Sequence, residues 1–143
     1  SIEYRGTRET PGMVFGLDRG GACRGIAYRI AETKAESVLA ALWEREMTTN
    51  IYLPRWLDTH LPDRRRVRVL AFVADPNHEQ YAGKLDIDET VALVLQGCGK
   101  FGHCLEYLRN TLDHLEEMGI HDHNLHRIVQ QAEHEQSQRG NQP

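Results

Sequence analysis

The stretch Glu36–Trp56, ESVLAALWEREMTTNIYLPRW, holds the residues best suited to chemistry in this chain. Val38, Leu39, Leu42 and Trp43 fall at i, i+1, i+4 and i+5, the stripe of a helix packed on a core. Leu39, Leu42, Trp43 and Glu46 continue it at i, i+3, i+4 and i+7, so a carboxylate stands where the pattern asks for a hydrophobe. Glu44 and Arg45 take the outward face. Burial disfavours a charged carboxylate and moves its proton affinity toward neutrality, as proton-transfer catalysis requires. The ordinary alternative is a helix-end glutamate that turns to solvent or pairs with an arginine, and the pattern alone leaves both open.

Composition bounds what that residue could serve. The 143 residues, 40% of them hydrophobic, match one domain with a single core. A net charge of −4 argues against nucleic acid or an anionic membrane as partner. No apolar run approaches the roughly 20 residues of a membrane span, and the opening residues carry no signal-peptide pattern. Cys23, Cys98 and Cys104 lack metal-type spacing and read as reduced thiols of a cytoplasmic protein. The only serines, Ser1, Ser37 and Ser137, are poorly placed for a serine hydrolase.

The elements that must position Glu46 follow in order. Met13–Leu17 and Cys23–Ile30 read as a hairpin about Asp18-Arg19-Gly20-Gly21, with Ile26, Tyr28 and Ile30 alternating against Ala27 and Arg29. A helix is predicted from Glu32 or Thr33 to Met47. Ile51–Leu61 reads as extended, with Pro54 marking an edge or bulge. Pro62-Asp63 turns the chain into Arg66–Ala74, which alternates Val67, Val69, Ala71 and Val73 against Leu70 and Phe72. The arginines around Arg64–Arg68 read as a solvated turn. Asp88 is expected to cap a helix over Glu89–Gln96. Leu105, Leu108, Leu112 and Leu115 give an amphipathic helix stopped by Gly119, and Leu125, Ile128, Val129 and Ala132 a last one. A polar, frayed tail is expected beyond Glu135. Strands around one helix, then helices, make an α+β domain.

Two motifs fail on context. Gly97-Cys98-Gly99-Lys100-Phe101-Gly102 fits the dinucleotide-binding fingerprint, but too few residues follow for the rest of that unit, so it reads as a glycine-rich turn between helices. His121, His123 and His126, beside Asp122, complete no zinc signature and read as solvated histidines.

Several strings together resemble the ChaC family of glutathione-specific γ-glutamylcyclotransferases. They are Arg5-Gly6-Thr7 with Pro11-Gly12, Gly25-Ile26-Ala27-Tyr28-Arg29, and Leu42-Trp43-Glu44-Arg45-Glu46-Met47 with Tyr52-Leu53-Pro54-Arg55-Trp56. Phe72-Val73-Ala74-Asp75-Pro76, Tyr81, Gly99 and Gly102 before Glu106-Tyr107-Leu108, Gly119-Ile120 and Asp122 complete the set. The resemblance runs from about Arg5 to Val129. It implies a small mixed β-barrel with flanking helices, no metal or nucleotide cofactor, and Glu46 as the catalytic acid/base. The implied reaction is attack of the α-amine of glutathione on its own γ-carbonyl, releasing 5-oxoproline and Cys-Gly. Tyr52, Tyr81 and Tyr107 are candidates for the substrate pocket, with ordinary packing an equal alternative. Arg5 and Arg45 are candidates for a substrate carboxylate.

The family's amino-terminal strand and Tyr-Gly-Ser-Leu loop, which grips the γ-glutamyl group, have no counterpart in this sequence. The expectation is a domain over 1–135 without that segment, followed by a polar tail at 136–143. Self-association through an exposed sheet edge is expected with it. Two other readings stay open: a cyclotransferase for another γ-glutamyl compound, and a non-catalytic module of the cation-transport-regulator type.

Overall fold

A computed structural model describes residues 1–140. The backbone falls into two compact units, 1–15 with 82 onward, and 16–81. The chain leaves the first unit early and returns to it late.

The first unit is built on helices α2 (Ile87–Gln96), α3 (Cys104–Glu117) and α4 (His123–Gly140). Val91 and Val94 of α2, Cys104, Leu105, Leu108 and Leu112 of α3, and Leu125, Val129 and Ala132 of α4 form its core. The leucine spacing anticipated α3, and Gly119, at φ 67°, ends it in the left-handed conformation that glycine adopts without a steric cost. Asp122 starts α4 by accepting the Asn124 and Leu125 amides at 3.0 and 2.9 Å.

Two helix boundaries differ from expectation. The cap of α2 is Asp86, not Asp88: its carboxylate accepts the Glu89 amide while Glu89 accepts the Asp86 amide, a reciprocal box. Asp88 instead accepts Gln131 Nε2 at 2.8 Å. Helix α4 also continues past Glu135 to Gly140, where a frayed tail was expected. Side-chain bonds one turn apart, Ser137 Oγ to the Glu133 carbonyl and Gln138 with His134, continue into that segment. Residues 141–143 of the expected tail lie outside the described residues.

Between α2 and α3 the glycine-rich turn forms a minimal hairpin of β3 (Cys98–Gly99) and β4 (Gly102–His103). The amino-terminal segment lies against it. Lys100 and Phe101 amides donate to the Glu3 and Tyr4 carbonyls at 2.9 Å each, and the Tyr4 and Phe101 rings stack 5.4 Å apart. This approach leaves no room for side chains. A Cβ at Gly97 would stand 2.5 Å from Gly12 Cα, and one at Gly99 would stand 2.6 Å from the Glu3 carbonyl oxygen.

The second unit contains α1 (Glu32–Glu46) and a ribbon of antiparallel strands β1 (Tyr52–His60) and β2 (Arg66–Ala74). The register opposes Tyr52 to Ala74 and His60 to Arg66, with Arg64 at φ 67° in the turn. Tyr52, Pro54, Trp56, Leu70 and Phe72 therefore share one face, and Leu53, Leu57, Val67, Val69 and Val73 the other.

The hairpin expected over residues 13–30 does not form. Its first strand spends its backbone groups elsewhere. Met13 N–H and C=O both bond the Cys104 thiol, Phe15 N–H donates to the Tyr107 hydroxyl, and the Leu17 carbonyl accepts Ala74 N–H in a bridge to β2. Gly20 and Gly21 take positive φ as a hairpin turn requires, yet the segment after them finds no ladder; Ile26 and Tyr28 stay exposed.

Replacing Gly97 by alanine should overpack backbone against backbone and destabilise the protein by about 1–3 kcal/mol in chemical unfolding. Gly25→Ala, where a Cβ meets open space, should leave the midpoint unchanged.

Candidate functional site

Glu46 is the last residue of α1. The apolar stripe that precedes it is not packed as expected: no residue of α1 is buried, and Leu39 and Trp43 are exposed. Val38 and Leu42 are half-buried, and the ribbon of the same unit buries only Val73. Glu46 is accordingly partly exposed, at 21%, and is not the buried carboxylate the helical pattern suggested. Arg45 binds it through Nε at 2.8 Å and Nη2 at 2.6 Å, both on Oε1. This arginine-paired, helix-end arrangement is the ordinary alternative the sequence left open. The negative end of the helix dipole opposes a carboxylate there, and the guanidinium counters it. With Arg45 72% exposed, the pair adds little to stability; its effect is to orient the carboxylate and leave Oε2 without a hydrogen bond to the described residues.

The connector from Glu46 to Tyr52 is held by its backbone. Met47 N–H donates to the Trp43 carbonyl at 2.9 Å, Asn50 turns the chain at φ 54°, and Asp75 N–H donates to the Ile51 carbonyl at 2.8 Å. Asparagine suits that left-handed position because its short polar side chain lowers the cost. Tyr52 thus begins β1 directly after a fixed turn, its ring beside Gly16.

The other candidates each have a partner within their own unit. Tyr81 donates its hydroxyl to Asp18 Oδ2 at 2.6 Å, and that bond pushes the phenol above its ordinary range. Arg5 donates Nη1 to the Phe101 carbonyl and, at 3.4 Å, to that of His103, while its guanidinium lies 5.0 Å from the Tyr107 ring centre. Tyr107 accepts Phe15 N–H at 3.2 Å. The structure therefore joins Arg45 with Glu46, and Arg5 with Tyr107. Glu46, Arg45, Tyr52 and Tyr81 belong to one unit, Arg5 and Tyr107 to the other.

Sequence reasoning passed over two participants. Asp18 looked like a turn residue, and nothing local announces a bond to a tyrosine 63 positions away. Cys104 looked like an ordinary thiol, but it sits fully buried between the Met13 amide groups, 91 positions distant. Elsewhere, His121, His123 and His126 are exposed, while Asp122 is engaged in capping. No described helix is long and apolar enough to cross a membrane.

A family model described as ChaC-like protein matches residues 1–135, and the chain belongs to that family. The glutathione-specific gamma-glutamylcyclotransferase of Escherichia coli K12 is 34% identical over 125 residues, which cover 87% of this chain and 54% of the relative. Glutathione-specific gamma-glutamylcyclotransferase 1 of Homo sapiens is 30% identical over 133 residues, covering 88% and 60%. Gamma-glutamylcyclotransferase 2-3 of Arabidopsis thaliana is 24% identical over 142 residues, covering 94% and 71%. The chain spans little more than half the length of the Escherichia coli relative.

Burial pushes the Cys104 thiol up, outweighing the opposing Met13 hydrogen bond. Its stabilising contribution is thus full below the unfolded thiol value of about 8.5 and falls as pH rises through the higher folded value. Wild-type stability should therefore decline at alkaline pH more steeply than that of Cys104→Ala. At pH 8, iodoacetamide should label exposed Cys23 and Cys98 well before Cys104.

Proposed function

We propose that this chain carries the proton-transfer residue of a γ-glutamylcyclotransferase that acts on glutathione. The observation that carries the reading is membership of the ChaC-like family across residues 1–135, supported by relatives named for that reaction in Escherichia coli and Homo sapiens.

In the proposed reaction the α-amine of the γ-glutamyl group attacks its own γ-carbonyl carbon. A carbon–nitrogen bond forms to close a five-membered lactam, and the bond to the cysteinyl nitrogen breaks. The amine must lose a proton and the leaving nitrogen must gain one, so a single carboxylate can serve both steps. Glu46 is assigned that work through Oε2, with Arg45 holding Oε1. Because attack is intramolecular, the protein's main task is to select a folded conformer of the substrate, which contributes several kcal/mol to such reactions. No nucleophilic side chain is needed.

Tyr52, fixed just beyond Glu46, is assigned to the substrate pocket. Of the remaining candidates, Arg5 Nη1 and the Tyr81 hydroxyl already donate within the protein, while the Tyr107 hydroxyl accepts a hydrogen bond and keeps its own proton to donate. The reading takes residues 1–135 as the family domain, with 136–143 as an appendage, and a cytoplasmic setting. It takes the β1–β2 ribbon as part of a small barrel. Both faces of that ribbon carry apolar side chains, and an isolated two-stranded ribbon is marginal in water, so further pairing or self-association at its edges fits. A second reading is cyclotransfer on another γ-glutamyl compound; the name of the Arabidopsis thaliana relative gives the reaction alone and is compatible with both.

Glu46→Gln should lower 5-oxoproline release from glutathione by about 10²–10⁴-fold, measured by mass spectrometry, with the circular dichroism spectrum retained. Glu44→Gln, on the exposed side of α1, should retain the rate. Equal loss in both variants, or none in Glu46→Gln, would remove Glu46 from the reaction.

A further inference from the structure

Tyr107 and Tyr81 share a feature of the chain path. The backbone passes from the first unit to the second between Phe15 and Gly16, and returns between Tyr81 and Ala82. Neither passage lies in a helix or strand, so no ladder of backbone hydrogen bonds holds it.

At the first passage Phe15, the last residue before the crossing, donates its amide to the Tyr107 hydroxyl. At the second, Tyr81, the last residue before the return, donates its hydroxyl to Asp18. The first bond spans 92 positions and the second 63, yet each closes within one unit. Both anchors are themselves fixed. Tyr107 is carried by α3, where Thr111 Oγ1 donates to its carbonyl at 2.8 Å, and Arg5 covers its ring. Asp18 accepts the Arg19 amide on Oδ1 at 2.6 Å, which orients Oδ2 toward the phenol.

We propose that Tyr107 and Tyr81 are positioning residues that pin the chain at its two crossings, Tyr107 at the exit through Phe15 and Tyr81 at the return through Asp18. The Tyr81–Asp18 bond runs from a phenol to a carboxylate and is charge-assisted, whereas the Phe15–Tyr107 bond joins neutral groups. The proposal concerns chain placement and stands whether or not the catalytic reading does.

Amide hydrogen exchange on the whole chain tests the exit. In Tyr107→Phe, the Phe15 amide should exchange about fivefold faster, the loss of one ordinary hydrogen bond. Amides of α2, α3 and α4 should keep their rates. An unchanged Phe15 rate would overturn the proposal, and so would uniform acceleration across the three helices, since Tyr107 would then be holding the core. The return is tested by ultraviolet titration of the tyrosines. In Asp18→Ala the tyrosine step that Tyr81→Phe removes should move to lower pH. Asp18→Asn, which keeps an acceptor but loses the charge, should move it only part of the way. A Tyr81 titration indifferent to both Asp18 variants would overturn that half.

Discussion

The contact on which the first unit depends is one between backbones. Gly97 meets Gly12, and Gly99 meets the Glu3 carbonyl, at separations that exclude a side chain on either glycine. That fit allows the Lys100 and Phe101 amides to reach the Glu3 and Tyr4 carbonyls. The placement of Arg5 across the β3–β4 turn follows, then that of Met13 on Cys104 and of Phe15 on Tyr107. A glycine pattern that resembles a dinucleotide loop is thus used to seat one stretch of the chain on another. The same absence of side chains that would let a phosphate approach lets a peptide approach instead.

What the sequence disclosed divides along the range of the interactions. The leucines of α3 and the alternation in Arg66–Ala74 are local patterns, and the elements appear where those patterns place them. The extended stretch, the turn at Pro62-Asp63 and the alternating strand were legible one by one; their antiparallel pairing appears only in the structure. The expected hairpin over 13–30 fails for a non-local reason: Cys104, Tyr107 and Ala74 take the backbone groups its ladder would need. Periodicity has no access to such competition. The cap of α2 was misplaced by two residues because an aspartate occurs at both Asp86 and Asp88, and only Glu89 decides between them by its return bond.

The position of Glu46 at the end of its helix was legible, but its environment was not. A carboxylate in an apolar stripe implies burial only if something lies across that stripe, and within its own unit α1 has no buried residue. The chemistry assigned to Glu46 therefore leans on the Arg45 pairing and the unengaged Oε2 instead of on desolvation. An arginine that binds one carboxylate oxygen fixes the direction in which the other can take and return a proton.

The central claim, that the γ-glutamyl amide is cleaved by its own amine, is tested most directly by the fate of solvent oxygen. Glutathione would be incubated with the protein in water enriched in heavy oxygen, and the products weighed by mass spectrometry. Intramolecular attack consumes no water, so the account predicts unlabelled 5-oxoproline in equal amount to Cys-Gly. Labelled glutamate beside Cys-Gly would mean hydrolysis through an activated water, and would contradict the mechanism assigned to Glu46.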